Sequence, residues 1–304
     1  ARAAQGFSAG AAGVVVSAII SENYSGKESA RIMSTVTLVI MGVPLVAPLV
    51  GTFLIKMGDW HSIFYFLAAY GAVVGLIVWA NTPKQRLRPA SKQRRNIVIG
   101  LKTMLANYRA VLAKPIGRLY LVAMGLNVTV YMIFATSASF VYMSYLGASL
   151  EMFPFLIGAN TISLVVGNRF GVYLLRHYEP YRVCMIGSSI LAFLCFLLLL
   201  AVTFLEPTLY LIVGLIIVAA GAIPISGPIA SSVFMQLYDK NAGTASASMG
   251  VARVAIGMLG GLVVTITHNG TLYPMASLMF IVSVFGAYCF YRAGSKLSSI
   301  QKTA

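Results

Sequence analysis

The stretch Asn81-Thr-Pro-Lys84-Gln-Arg86-Leu-Arg88-Pro-Ala-Ser-Lys92-Gln-Arg94-Arg95, continuing through Lys102, Arg109 and Lys114 to Arg118, carries ten Lys/Arg and no Asp or Glu. Long apolar runs flank it on both sides. A basic loop between membrane-crossing helices marks the cytoplasmic face, because positively charged loops resist translocation. The segment also divides the chain into a short block before it and a longer block after it, a layout expected of carriers built from helical repeats.

Composition supports lipid as the solvent. Of 304 residues, 59% are hydrophobic and only 10% are charged, whereas a soluble domain carries about 25% charged residues. The formal net charge of +15 raises nucleic acid as a partner. Nearly half of the basic residues sit in one loop, however, and most others fall in loops on the same expected side. That is orientation charge in contact with anionic lipid, not a groove-matching stripe, and no nucleic-acid partner is expected. Cys184, Cys195 and Cys289 all lie inside apolar runs. They give neither a disulfide framework nor metal spacing and read as small hydrophobes.

A helix needs about 20 apolar residues to cross the hydrocarbon. Nine runs meet that scale: Ala3–Ile20, Met33–Ile55, Ile63–Ala80, Leu119–Val141, Phe153–Leu175, Val183–Phe204, Leu209–Phe234, Ala245–Ile266 and Leu272–Tyr291. They are too long for barrel strands, which alternate over about 10 residues. Loops that should share the basic side hold Lys27 and Arg31, Arg176 and Arg182, Lys240, and Lys296 and Lys302. Loops on the other side hold Lys56 with Asp59, Glu151 and Glu206. The bias alternates at every crossing. Three spans precede the connector and six follow it, so the first residue would lie outside with no visible signal to carry it there. The expectation is a chain that lacks three upstream spans of a twelve-span protein.

Polar groups inside spans are costly and usually face the bundle interior or a water-filled cavity. Arg2 and Gln5 open the first run. Asn127 and Tyr131 share a face of the fourth, with Phe134 a turn further on; Asn160 lies in the fifth and Arg253 well inside the eighth. Arg253 has no acid near it in sequence, and a mid-span Arg costs on the order of 2.5–3.5 kcal/mol on insertion scales. It reads either as a cavity residue that meets solute or an ion pair with another helix, or as an Arg snorkelling toward the cytoplasm. Asn127, Tyr131 and Phe134 read equally as a face for an amphipathic, partly aromatic solute or as interhelical packing. Asn160 reads more simply as packing.

Small residues recur at GxxxG spacing in Gly6/Gly10, Gly71/Gly75, Gly167/Gly171 and Gly257/Gly261, a spacing that lets helix backbones approach. Pro44, Pro48 and Gly51 in one run, and Pro224, Gly227 and Pro228 in another, are candidate bending or gating positions, since an interior proline removes a backbone hydrogen bond. No Asp, Glu or His lies mid-span. No phosphate-binding loop and no nucleophile constellation at membrane depth appears, so no enzyme is expected. No metal or cofactor is expected either.

These residues resemble the major facilitator superfamily, and within it the twelve-span drug/proton antiporters of the bicyclomycin/chloramphenicol-resistance subgroup. Arg2-Ala-Ala-Gln5-Gly6 resembles the fourth-helix motif R-x-x-Q-G. Ala47-Pro48-Leu-Val-Gly51-Thr52 resembles the antiporter motif G-P-x-x-G-G, with Ala and Thr replacing two glycines. Trp60-His-Ser-Ile-Phe64 resembles W-R-x-I-F, with His61 for Arg. Asn168-Arg169-Phe through Arg176-His177 resembles the second copy of the family's loop motif. Ala242-Gly-Thr-Ala-Ser246 with Gly250 and Arg253 is similar to the subgroup's eleventh-helix start.

The resemblance implies an all-α integral membrane fold, a major-facilitator bundle with about nine of twelve helices present. Residues 1–80 would be the last three helices of the N-terminal bundle, 81–116 the cytoplasmic connector and 117–304 the C-terminal six-helix bundle. It implies a cavity lined by helices one, four, seven and ten, which places Arg2, Gln5, Asn127, Tyr131 and Phe134 on lining helices. The coupling acid would lie on the first helix, upstream of Ala1, with Arg2 tuning its pKa. The implied function is proton-coupled export of small hydrophobic or amphipathic solutes, antibiotics among them, by a monomer in a bacterial inner membrane. The alternatives are an importer of a sugar or metabolite and a polytopic membrane protein without transport activity.

The orientation is testable by cysteine labelling in intact cells. Lys92→Cys or Arg94→Cys should react with a membrane-permeant maleimide and resist an impermeant one. Reaction only from outside the cell would overturn the topology.

Overall fold

The computed structural model describes residues 6, 43, 46–81, 108–109, 111–205, 208–238 and 242–303, with 242–244 and 298–303 described as backbone only. The chain divides into two compact units, residues 1–65 and 66–304. Regular structure among the described residues is helical throughout: α1 Val46–Met57, α2 His61–Asn81, α3 Pro115–Ser139, α4 Phe153–Leu174, α5 Pro180–Phe204, α6 Leu209–Gln236, α7 Ala242–Ile266 and α8 Tyr273–Thr303. Seven described helices, α2 to α8, are long and apolar enough to span a membrane, and α1 is a shorter apolar helix.

These seven match the last seven apolar runs. The first run, Ala3–Ile20, lies outside the described residues, and the second, Met33–Ile55, is described continuously only from Val46. The boundaries depart from hydropathy where helix formation outlasts the hydrocarbon. Helix α8 runs twelve residues beyond Tyr291, to Thr303, through Arg292, Lys296 and their polar neighbours, because a helix needs apolar residues only while it is in lipid. Helices α3, α4 and α5 each open on a proline in the first turn, where the missing N–H has no intrahelical partner to lose. Ahead of α2, Asp59 caps the helix: its Oδ1 accepts from the His61 backbone N–H at 3.0 Å, and its Oδ2 lies 2.7 Å from His61 Nδ1. That side-chain hydrogen bond to His61 holds the exposed Asp59 carboxyl below its usual range.

In the second unit, α3, α8, α5 and α6 pack in sequence into a four-helix ring. A lesser contact between α3 and α6 closes it, while α4 lies against α6 and α7 against α3. Tyr120 and Phe290 meet edge-on inside the ring with centroids 5.7 Å apart, among Met124, Leu191, Leu198, Ile212, Ile216 and Phe234, none more than 1% exposed. The three cysteines are buried and free.

The outer helices attach through glycine. Lipid tails are as apolar as leucine, so helix association in a bilayer depends on close packing and interhelical hydrogen bonds. A Cβ on Gly167 would overlap the Gly221 carbonyl oxygen, and one on Gly171 would lie 2.7 Å from the Ile225 carbonyl. One turn before Gly167 the Ser163 hydroxyl donates to the Ile217 carbonyl at 2.6 Å. On the other flank, Gly257 and Gly260 of α7 fit against Val128 and Thr129 of α3, and Thr129 Oγ1 donates to the Ile256 carbonyl at 3.0 Å. Two of the GxxxG pairs thus mark true helix contacts. Gly71 and Gly75 on α2 face open space.

The ends of this unit differ in charge as the loop pattern requires. Lys114 Nζ donates to the Leu237 carbonyl at 2.6 Å and sits 4.7 Å from the Tyr238 ring centroid. Tyr238 Oη donates to the Val111 carbonyl at 2.6 Å, and burial pushes that phenol up. Gly294 packs on Tyr181 and Met185. The start of α3, the end of α6, the start of α5 and the end of α8 therefore share one end, together with Arg118, Arg176, Arg182, Arg292 and Lys296. At the opposite end Phe140 meets His268 edge-on at 4.4 Å.

The glycine contacts yield a direct test. Gly167→Ala should lower the stability of the detergent-solubilised protein by about 1–3 kcal/mol, the usual cost of overpacking. Gly214→Ala, where a Cβ meets nothing within 4 Å, should be neutral or slightly stabilising because alanine is the better helix former. Equal thermal unfolding of the two variants would contradict the α4–α6 contact.

Candidate functional site

Helix α3 carries three of the residues singled out from sequence, and the structure gives each a different task. Asn127 Nδ2 donates to Ser226 Oγ on α6 at 2.6 Å, and both side chains are buried. Cys184 Sγ lies 3.9 Å from the Ser226 carbonyl, so α3, α5 and α6 converge there. Phe134, also buried, meets Tyr142 edge-on at 5.9 Å. Tyr131 is half-buried and remains the most open of the three.

Asn160 on α4 pins a different feature. Its Nδ2 donates to Tyr142 Oη at 2.8 Å and to the Leu156 carbonyl at 2.9 Å, while its Oδ1 is buried without a hydrogen-bond partner. Tyr142 belongs to Phe140–Tyr145, a π-helical turn that continues α3. Gly147 closes that end at φ +71°, a backbone region that suits glycine. The sequence reading foresaw no π turn; nothing in Phe-Val-Tyr-Met-Ser-Tyr distinguishes it from ordinary helix.

The most concentrated polar chemistry lies between α6 and α7. Pro224 and Pro228 both sit inside α6, and each removes a backbone donor from its hydrogen-bond ladder. Beside them, the Gly227 carbonyl accepts from Ser231 Oγ at 2.9 Å and from Arg253 Nη2 at 3.2 Å. Arg253 Nη2 also donates to Ser231 Oγ at 2.5 Å and lies 3.6 Å from Met124 Sδ. Helices α6 and α7 otherwise barely touch. Among the described residues Arg253 thus ties the two helices through hydrogen bonds, with Met124 bringing α3 to the same point.

Arg253 lies eleven residues into α7, about 16 Å along the axis at a rise of about 1.5 Å per residue. Helical side chains lean toward the N-terminus, here the basic end, and the guanidinium reaches the last turns of α6 without leaving the bundle. It is half-buried. Among the described residues its partners are a carbonyl, a hydroxyl and a thioether, with no carboxylate. Among the described residues its buried Nε has no hydrogen-bond partner. A cation held by dipoles and one idle N–H retains the capacity to bind an anionic group.

Arg2, Gln5 and Pro44 lie outside the described residues. Pro48 and Gly51 lie in α1, where a Cβ on Gly51 would meet nothing within 4 Å. Ser226, Ser231 and Met124 were not singled out from sequence. Ser226 and Ser231 flank Gly227-Pro228, and a hydroxyl beside an in-span proline is the signal that would have found them.

The whole-chain comparisons agree with this architecture. The model of the Major Facilitator Superfamily matches residues 1–262. A bicyclomycin resistance protein homolog from Haemophilus influenzae is 24% identical over 290 residues, covering 95% of this chain and 71% of that protein. An uncharacterized MFS-type transporter, YdgK, from Bacillus subtilis is 26% identical, covering 96% of this chain and 71% of its own length. The multidrug resistance protein MdtL from Vibrio parahaemolyticus is 26% identical over 84% of this chain and 62% of that protein. With a family match over most of its length, and candidate spans and glycine-mediated packing in keeping with it, the chain is a multi-pass membrane protein that belongs to the major facilitator superfamily of transporters.

Proposed function

We propose that the chain serves proton-coupled export of small hydrophobic or amphipathic compounds, antibiotics among them, across a bacterial inner membrane. The observation that carries this reading is Arg253, a charge kept inside the bundle by weak, exchangeable partners on the proline-interrupted α6. Such a cation can leave Ser231 and Gly227 for an anionic group when helices rearrange, which is the behaviour alternating access requires. The drug class is supported by the bicyclomycin and multidrug resistance relatives. The sparse polar character of the half-open α3 face around Tyr131 supports it as well.

In this reading residues 1–80 belong to one bundle, 81–116 to a cytoplasmic connector and 117–304 to the second bundle, and the carrier works as a monomer. The described carboxylates Asp59, Glu151 and Glu179 all sit at helix ends. The coupling proton is therefore assigned to a group outside the described residues, and Arg2 and Gln5, also outside them, are kept as candidate solute-facing residues. Tyr131 contacts solute, while Asn127, Phe134 and Asn160 hold the wall behind it.

The experiment is transport by vesicles containing the complete polypeptide. An imposed pH gradient should drive accumulation of a hydrophobic cation such as ethidium in inside-out vesicles. Carriage of a sugar or metabolite, with no drug movement under any gradient, would replace export with the importer reading. Arg253→Ala removes charge-assisted hydrogen bonds of about 1.5–3 kcal/mol and should slow transport about 10- to 100-fold, with normal membrane insertion. Ser231→Ala should fall between that variant and the parent. Unchanged transport in Arg253→Ala would leave the residue a purely structural brace.

A further inference from the structure

We propose that the basic end of the second unit contains a binding site for one anionic phospholipid, in the crevice between α3 and α8. The crevice has a volume of about 500 Å³ and is lined by Leu119, Val122, Phe285, Tyr288 and Cys289 below a rim of Arg118, Arg292 and Lys296. The two parts ask for different things. Phe285 and Tyr288 are 54% and 53% exposed, an aromatic and aliphatic trough with the character of an acyl-chain bed. The three rim residues are exposed, and no carboxylate is among the described residues lining the crevice. The Arg292 guanidinium carbon lies 6.0 Å from the Tyr288 ring centroid, so that side chain is directed over the trough.

A single ligand type answers both demands: a phosphate diester carrying hydrocarbon chains. Guanidinium groups recognise phosphate oxygens through paired N–H donors, and basic pockets between helices at the cytoplasmic face suit anionic head groups. The rim stands at head-group depth for a physical reason. Arg118 lies one turn inside α3, and Arg292 lies where α8 changes from an apolar to a polar sequence. A free phosphate would satisfy the rim and leave the trough unfilled, so the lipid is the occupant. The site is separate from Arg253 and is read by binding alone, so its failure would not touch the export reading.

The test is native mass spectrometry of the complete polypeptide in detergent, with phosphatidylglycerol and phosphatidylcholine of identical chains. Phosphatidylglycerol should be retained preferentially. Near-surface cations contribute about 1 kcal/mol each toward anionic lipid, so the double variant R118Q/R292Q should lose about thirtyfold in affinity and fall to the phosphatidylcholine level. R118K/R292K should recover most of the binding, and Arg176→Gln, outside the crevice, should leave it intact. Excess inorganic phosphate should not displace the lipid. Equal binding of the two lipids, parental binding by R118Q/R292Q or displacement by phosphate alone would overturn the proposal. Val122→Trp, which fills the trough and leaves the rim charges unchanged, supplies the second arm: it should weaken phosphatidylglycerol retention, and unaltered retention would count against the acyl-chain bed.

Discussion

In hydrocarbon, a peptide group without a hydrogen-bond partner has no water to turn to, and this governs the rest of the molecule. It makes helix the only economical form for the long apolar runs and fixes their length near the bilayer thickness. It also explains why α6 is the place where polar side chains collect. Pro224 and Pro228 withdraw two N–H donors from that helix, those that would serve the carbonyls of Ala220 and Pro224, and nearby the Gly227 carbonyl accepts from Ser231 Oγ and Arg253 Nη2. An in-span arginine without a carboxylate and a helix short of donors are each unfavourable alone. Side by side, the guanidinium finds acceptors on α6 in the Gly227 carbonyl and the Ser231 hydroxyl.

The same constraint separates two kinds of helix contact. The α5–α8 contact uses large side chains such as Phe196 and Phe280, whose centroids are 5.4 Å apart. The α4–α6 and α3–α7 contacts use glycine and a hydroxyl bonded to a carbonyl of the facing helix, Ser163 to Ile217 and Thr129 to Ile256. Backbones that approach this closely leave little room for adjustment along the contact. Each outer helix is therefore carried by its inner partner, α4 by α6 and α7 by α3. Arg253 adds a polar tie between α7 and α6 that can be released without disturbing the glycine seams.

The fold was legible because hydropathy and charge act through single residues against a uniform solvent: a Leu in lipid or a Lys in a loop carries its meaning without reference to a partner. The seven described spans fall where the apolar runs lie, and the basic ends of α3, α5 and α8 meet as the loop charges imply. The site was legible only as a set of residues. Asn127 stood out as an in-span amide, but its partner Ser226 is 99 positions away, and spacing on one helix cannot name a residue on another. Gly71/Gly75 and Gly167/Gly171 share a spacing, yet only the second pair has a helix pressed against it. The π turn at Phe140–Tyr145 carries Tyr142, which accepts from Asn160 on another helix, a tertiary contact with no local trace.

The charge imbalance acts beyond orientation. With 22 Lys and Arg against 7 Asp and Glu, internal pairing can neutralise only a minority of the cations, whatever the fold. The remainder must be met by water, by backbone carbonyls or by anions that the chain does not contain. Lys114 takes the second course, on Leu237, and Arg253 takes it deeper in the bundle, on Gly227. Residues at the ends of α3 and α8 stand where carbonyls are already engaged in helix and lipid phosphates are abundant. The excess of cations that would orient such a chain would also favour anionic lipid, because one electrostatic term both holds basic loops on one side of a bilayer and attracts the head groups that face them.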